Sequence, residues 1–193
     1  VFNCIFTSNT VIAGGGGMAN LRGSNPVISG CVFSNNMAAI RGGGIFCATN
    51  GSATVVNCTL YGNTARCGGG IAALLATCTV KNVIAWGNTG GEINNTLSTL
   101  TVAYSCVQGG YTGTGNTTSD PLFADVGSGD FHLKSQSGRW TSGGWATSDT
   151  ETSPCIDAGD PADAHAVEPA PNGGRINMGA YGNTPQASKT YPP

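Results

Sequence analysis

The sequence predicts an all-β protein: a right-handed parallel β-helix, or solenoid, of roughly eight coils with longer loops toward the C-terminus. Three observations carry this. A short motif recurs every 23 to 27 residues, a glycine cluster follows each clear copy, and inward and outward residue types alternate along each short strand.

The first copy is Asn3-Cys4-Ile5-Phe6-Thr7-Ser8-Asn9. It aligns with Gly30 to Asn36, Asn57 to Asn63 and Asn82 to Asn88, with a looser start at Ser105-Cys106-Val107. Glycines follow at 14–17, 42–44, 68–70 and 90–91, and then Met18, Ile45, Ile71 and Ile93. A period this short, without helical spacing, suits one coil of a parallel β-helix; propeller blades need ~40 residues or more. Alternation puts Cys4, Cys31, Cys58, Val83 and Cys106 in one inward column, and Phe6, Phe33, Leu60 and Ala85 in another. Ile5, Val32, Thr59 and Ile84 should face out, with Thr7, Ser34, Tyr61 and Trp86. Asn9, Asn36, Asn63 and Asn88 follow the strands, where an amide can hydrogen-bond its counterpart in the next coil. Right-handed winding follows from the crossover rule for parallel strands. The repeats are expected over residues 1–123. Residues 124–193 are read as a continuation of the solenoid within one domain, with Cys106, Phe131, Cys155 and Met178 marking further coils, loops between them, and the start of a linker at the end.

Composition narrows the function. Of 193 residues, 31 are glycine, more than twice the usual ~7%. Charged residues make up 9%, against roughly 25% in an average globular protein. A chain with eight basic residues and a net charge of −2 cannot assemble the basic face that nucleic acid requires. No apolar run is long enough to span a bilayer. The chain opens inside a strand, at Val1-Phe2-Asn3-Cys4, and is expected to be a piece of a longer chain, a processed product, or a subunit whose end a partner covers.

Two stretches resemble known families. Phe6-x-x-Asn9 and Phe33-x-x-Asn36, with Gly42-Gly43-Gly44-Ile45 and Gly68-Gly69-Gly70-Ile71, resemble the polymorphic outer membrane protein repeat, built on FxxN and GGA[ILV]. Downstream, Tyr104 to Tyr111, Asp120-Pro121-Leu122-Phe123, Asp130-Phe131-His132-Leu133, Ser153 to Pro161 and Gly174 to Gly182 resemble the C-terminal part of choice-of-anchor Q proteins. The second resemblance implies a pectate-lyase-like β-helix that is secreted or displayed on a bacterial cell surface.

The eight cysteines include no CxxC pair and no Cys/His metal spacing, so Cys4, Cys31, Cys58 and Cys106 read as a stack of small buried hydrophobes and no metal site is expected. A disulfide is most compatible with Cys47, Cys67 or Cys78, outside that ladder. Among the first 119 residues Glu92 is the sole carboxylate side chain; the other nine lie between Asp120 and Glu168. A glycosidase needs two carboxyl groups about 5 to 9 Å apart, and the repeat body cannot supply them. Arg22, Arg41, Arg66 and Lys81 lack acidic partners in the same columns. His132 is read as the outward residue of a strand. Calcium (Ca2+) could bind the Asp157, Asp160, Asp163 series, although a spacing of three is not the alternating pattern of an EF-hand loop.

The main reading is therefore a non-enzymatic structural stalk, adhesin or self-assembling scaffold, able to stack end to end. The alternative is a carbohydrate-active module, a polysaccharide lyase or a binder of extracellular polysaccharide. Tyr61 and Trp86, one coil apart on the outer face, would form an aromatic platform for a sugar. Asp120, Asp125, Arg139 and Arg175 converging in one groove would favour the lyase. Ice binding is set aside, because the Thr10, Thr64 and Thr89 column is interrupted by Met37 and lacks paired T-x-T rows.

Overall fold

The computed structural model describes residues 1–190; the remaining linker residues predicted at the C-terminus lie outside the described part. Three parallel sheets run the length of the solenoid. The first stacks Ile5–Thr7, Val32–Ser34, Thr59–Tyr61, Ile84–Trp86 and Cys106–Val107. The second stacks Met18–Asn20, Ile45–Ala48, Ile71–Leu74 and Ile93–Thr96, and the third Val27–Ser29, Ser52–Val56, Thr77–Lys81 and Thr99–Ala103. No described residue is helical, and none belongs to a helix long and apolar enough to cross a membrane.

Single residues in left-handed backbone turn the chain from one sheet to the next. They stack in columns: Asn3, Gly30, Asn57, Asn82 and Tyr104 at one corner, and Thr49, Leu75 and Leu97 at another. The glycine clusters solve a different problem, which is close approach. A Cβ on Gly69 would lie 2.2 Å from the Thr89 carbonyl oxygen, so the coils meet there backbone to backbone. Inside, Phe33, Leu60, Ile28, Ile45, Ile71, Val55 and Val80 form one buried cluster, and Phe6 stacks on Phe33 with ring centres 4.7 Å apart.

Two expectations change. The parallel ladder makes about four turns, against the roughly eight expected, because the pairing changes after Val107. Phe123–Asp125 pairs antiparallel with Asp130–Leu133, and Arg139–Thr141 with Gly144–Ala146. Phe131, Cys155 and Met178 are not coil residues. They cover the outer side of the first sheet, with Met178, Cys155 and Leu133 against Ile84, and Phe131 and Ala180 against Val32. That sheet presents an apolar outward row, Val32 and Ile84 among it, and covering it removes this apolar surface from water.

The second correction is Cys106. Successive coils are offset by 27, 27, 25 and then 22 residues. The last coil is one residue shorter than the motif alignment implies, so Cys106 pairs with Ile84 in the outward column. A one-residue slip moves a side chain to the other face. Ser105 takes the inward position instead, and its hydroxyl accepts the Val83 amide at 3.1 Å.

Candidate functional site

The asparagines that follow the first-sheet strands form a continuous ladder. Asn36 Oδ1 accepts both the backbone and side-chain N–H of Asn9, at 3.1 and 2.9 Å. Asn63 receives Asn36 in the same way, and Asn88 receives Asn63. Asn88 then donates its own backbone N–H to Glu92 at 3.0 Å, and its side-chain amide to the same carboxylate. Burial pushes the Glu92 carboxyl above its ordinary range, against the pull of those amides. This is a structural role, and it accounts for the one carboxylate of the repeat body.

Tyr61 and Trp86 are in register on adjacent coils. They do not form an open platform. The Phe123 and Phe131 rings lean on Tyr61 with centres 5.8 and 5.4 Å away, and both aromatic residues of the pair are half-buried. The result is a groove of about 240 Å³ walled by Tyr61, Trp86, Asp120, Leu122, Phe123 and Lys134. It offers aromatic faces, one carboxylate and one ammonium, the elements needed to hold a polar ring by stacking and a few hydrogen bonds.

The four residues proposed for a lyase do not meet. Asp120 borders this groove and accepts the Leu122 amide. Asp125 caps the turn at Gly127 and Ser128. Arg139 binds Asp149 at 3.0 Å and Asp130 at 3.3 Å. Arg175 donates to the carbonyls of Gly159 and Ala158 and lies over the Tyr104 ring.

A second polar cluster escaped the sequence reading. Lys81, at the end of its third-sheet strand, holds Asp163 at 2.7 Å and Asp160 at 3.2 Å. Asn82 beside it donates to Asp163 and to Asn57. The hydrogen bond to Asp163, with help from Asp160, raises the Lys81 ammonium above its usual value. The Ala162 amide, followed by Lys81, lowers Asp160. An ammonium held this way is harder to deprotonate than a free one. These contacts staple the C-terminal region to the solenoid, together with the bond from the Ala180 amide to Thr59 Oγ1. The partners of Lys81 come from residues about 80 positions away, so column alignment had no means of finding them.

Asp157 turns elsewhere, to the Gly173 amide and the Thr190 hydroxyl, and no three metal-binding side chains converge among the described residues. His132 is buried, not outward: it stacks on Tyr181 at 3.7 Å and its Nδ1 lies 2.6 Å from Asp130. Burial opposes the charge of Asp130, yet His132 and Arg139 hold its carboxyl below the ordinary value. The cysteines pair in space as Cys31 with Cys58, Cys47 with Cys78, and Cys106 with Cys155, all as free thiols.

The family described as "Disaggregatase related" matches residues 25–159, well over half of the chain. The chain belongs to the disaggregatase-related family. The matched span of this disaggregatase-related domain runs from the Val27–Ser29 strand through the ladder and both antiparallel hairpins. No curated protein and no solved structure matches the chain.

Proposed function

We propose that this domain is a non-enzymatic β-helix segment of a secreted or cell-surface protein, serving as a stalk, adhesin or self-assembling scaffold. The observation that carries the reading is how the charges are used. Asp130 and Asp149 hold Arg139, and Asp160 and Asp163 hold Lys81. Glu92 and Glu168 are buried and accept backbone amides. A glycosidase needs two carboxyl groups across an open cleft, and those engaged here in ion pairs and caps are not free for that work. The resemblance to outer-membrane repeats and to choice-of-anchor Q proteins points to the cell surface. As a scaffold it would associate end to end with further copies through its parallel sheets.

The second reading is a polysaccharide binder, favoured by the Tyr61–Trp86 groove with Asp120 and Lys134 on its walls. The family description, "Disaggregatase related", suits a domain that holds the material of an aggregate. One experiment separates the two. The purified chain is imaged by negative stain beside a sizing column, then titrated with neutral and anionic polysaccharides while new chain ends are assayed. Rods, or a monomer that leaves polysaccharide intact, support the non-enzymatic reading. Release of new chain ends overturns it. Saturable binding lost in Trp86→Ala assigns the groove.

A further inference from the structure

The third sheet carries a pattern that none of the foregoing uses. Its strands are in register, with Ser52, Thr77 and Thr99 in one column and Thr54, Thr79 and Thr101 in the next. Each strand therefore reads Ser/Thr-x-Thr, with Ala53, Cys78 and Leu100 turned inward between the two. Five of these six side chains are exposed and Thr54 is half-buried. Among the described residues, none of the six hydroxyls has a hydrogen-bond partner in the protein, although hydroxyls elsewhere, such as Ser105 and Ser188, do. The column weighed at first, Thr10, Met37, Thr64 and Thr89, lies at a different edge of the solenoid. The paired rows are here.

We propose that this face is an ice-binding surface, a two-column array of hydroxyl and methyl groups whose ligand is the hydrogen-bonded lattice of ice. The spacing is the first argument. Neighbouring coils are about 4.8 Å apart and alternate residues of a strand about 6.6 Å apart, so the hydroxyls stand on a regular rectangular grid that a periodic lattice can meet row by row. The second is rigidity. Threonine is stiff about χ1, so its hydroxyl and methyl are fixed before contact and little side-chain entropy is lost on binding. The third is charge: the two columns hold no ionisable group, and the adjoining Lys81 is neutralised by Asp160 and Asp163. An uncharged face suits an uncharged lattice, whereas an exposed ammonium would organise water around itself. The fourth is the border. Leu75 and Leu97, at the corner beside Thr77 and Thr99, are 53% and 81% exposed and held at positive φ. Left-handed backbone is unfavourable for leucine, and at this corner it extends the uncharged surface with aliphatic groups. The inference is independent of the Tyr61–Trp86 groove, which lies on the first sheet.

The test freezes a solution of the chain slowly onto a cold probe and measures its partition between ice and liquid, with ice recrystallisation followed in parallel. The native chain should enter the ice and slow grain growth. Thr79→Tyr, at the centre of the array, should weaken the effect at least about tenfold, because a bulky ring there holds the neighbouring central contacts off the lattice. Thr10→Tyr, at an exposed position outside the array, should leave it unchanged. Circular dichroism monitors folding, and Thr101→Tyr replaces Thr79→Tyr if the latter unfolds. Exclusion of the native chain from ice overturns the proposal. So does equal activity of the folded array variant, and so does retention on crystalline chitin or cellulose by a chain that ice rejects.

Discussion

The solenoid body and the C-terminal region are built on different principles. The body repeats itself: each coil copies the backbone corners, the asparagine and the inward apolar residues of its neighbour, and it holds one carboxylate. The C-terminal region repeats nothing and holds the other nine, most of them in specific pairs or caps. Periodic packing and ladder hydrogen bonds stabilise the first; individual long-range contacts to the first sheet stabilise the second. A repeat can rely on backbone geometry, whereas a region without one must be fastened residue by residue.

Four measurements would break or sharpen this contrast. The largest effect is expected from Gly69→Ala. Its Cβ would lie 2.2 Å from a carbonyl oxygen of the neighbouring coil, so thermal or urea unfolding should show more than about 4 kcal/mol lost, or no folded protein. Gly143→Ala in the C-terminal hairpin meets nothing closer than 3.8 Å and should change stability by less than about 0.5 kcal/mol. Equal effects would end the distinction. Next, Asn63→Ala removes a buried ladder rung, leaves the Phe33 carbonyl without its Asn63 donor and the Asn36 backbone amide without its acceptor, and takes one of the two acceptors of the Asn36 side-chain amide, which keeps the Phe6 carbonyl. The expected loss in chemical denaturation is about 2–4 kcal/mol.

Lys81→Met frees Asp160 and Asp163 without touching the ladder. Being partly exposed, the cluster should contribute only about 1 kcal/mol. Hydrogen exchange should quicken over residues 157–183 while the third-sheet strands keep their protection. If both regions loosen together, they form one cooperative unit. The smallest effect is that of pH. Glu92 and Glu168 are both raised above 4.5 in the fold, chiefly by burial. A raised folded value favours the protonated form, so their contribution to stability is fully present below the unfolded value and lost as pH rises through the folded one. Asp130, lowered below 3.8, runs the other way: its contribution is lost as pH falls through its folded value. The melting temperature should therefore be slightly higher near pH 5 than near pH 8, and fall again in stronger acid.

The fold was legible in the body because asparagines and glycines mark the same geometric position in each coil. It was not legible past Val107. Phe131, Cys155 and Met178 keep a coil-like spacing, but apolar residues that cover a face can be spaced in the same way as those that line one. The slip at Cys106 arose because Tyr104 occupies the left-handed corner that Asn57 and Asn82 fill in earlier coils, and a reading keyed to asparagine cannot see it. Tyr61 and Trp86 were placed on the correct face, yet the Phe123 and Phe131 rings that wall them in come from more than thirty residues away. The third-sheet rows were readable, since Ser52-Ala53-Thr54, Thr77-Cys78-Thr79 and Thr99-Leu100-Thr101 stand 25 and 22 residues apart, the same offsets as the coils.

The asparagine ladder has a direction. Every rung passes its donors toward the C-terminal side, so the column is a polarised wire whose last pair of N–H groups must end on something. Glu92 is that terminus, a carboxyl whose two oxygens accept at the donor end of a stack of aligned dipoles. It therefore works as punctuation: a further rung placed beyond it would meet a carboxyl that has accepted the Asn88 donors and, unlike an amide, has no N–H to pass onward. A coil duplicated upstream, from Gly30 to Val56, should splice into the column and lengthen the rod by one rise. The same coil inserted after Glu92 should find no rung to join.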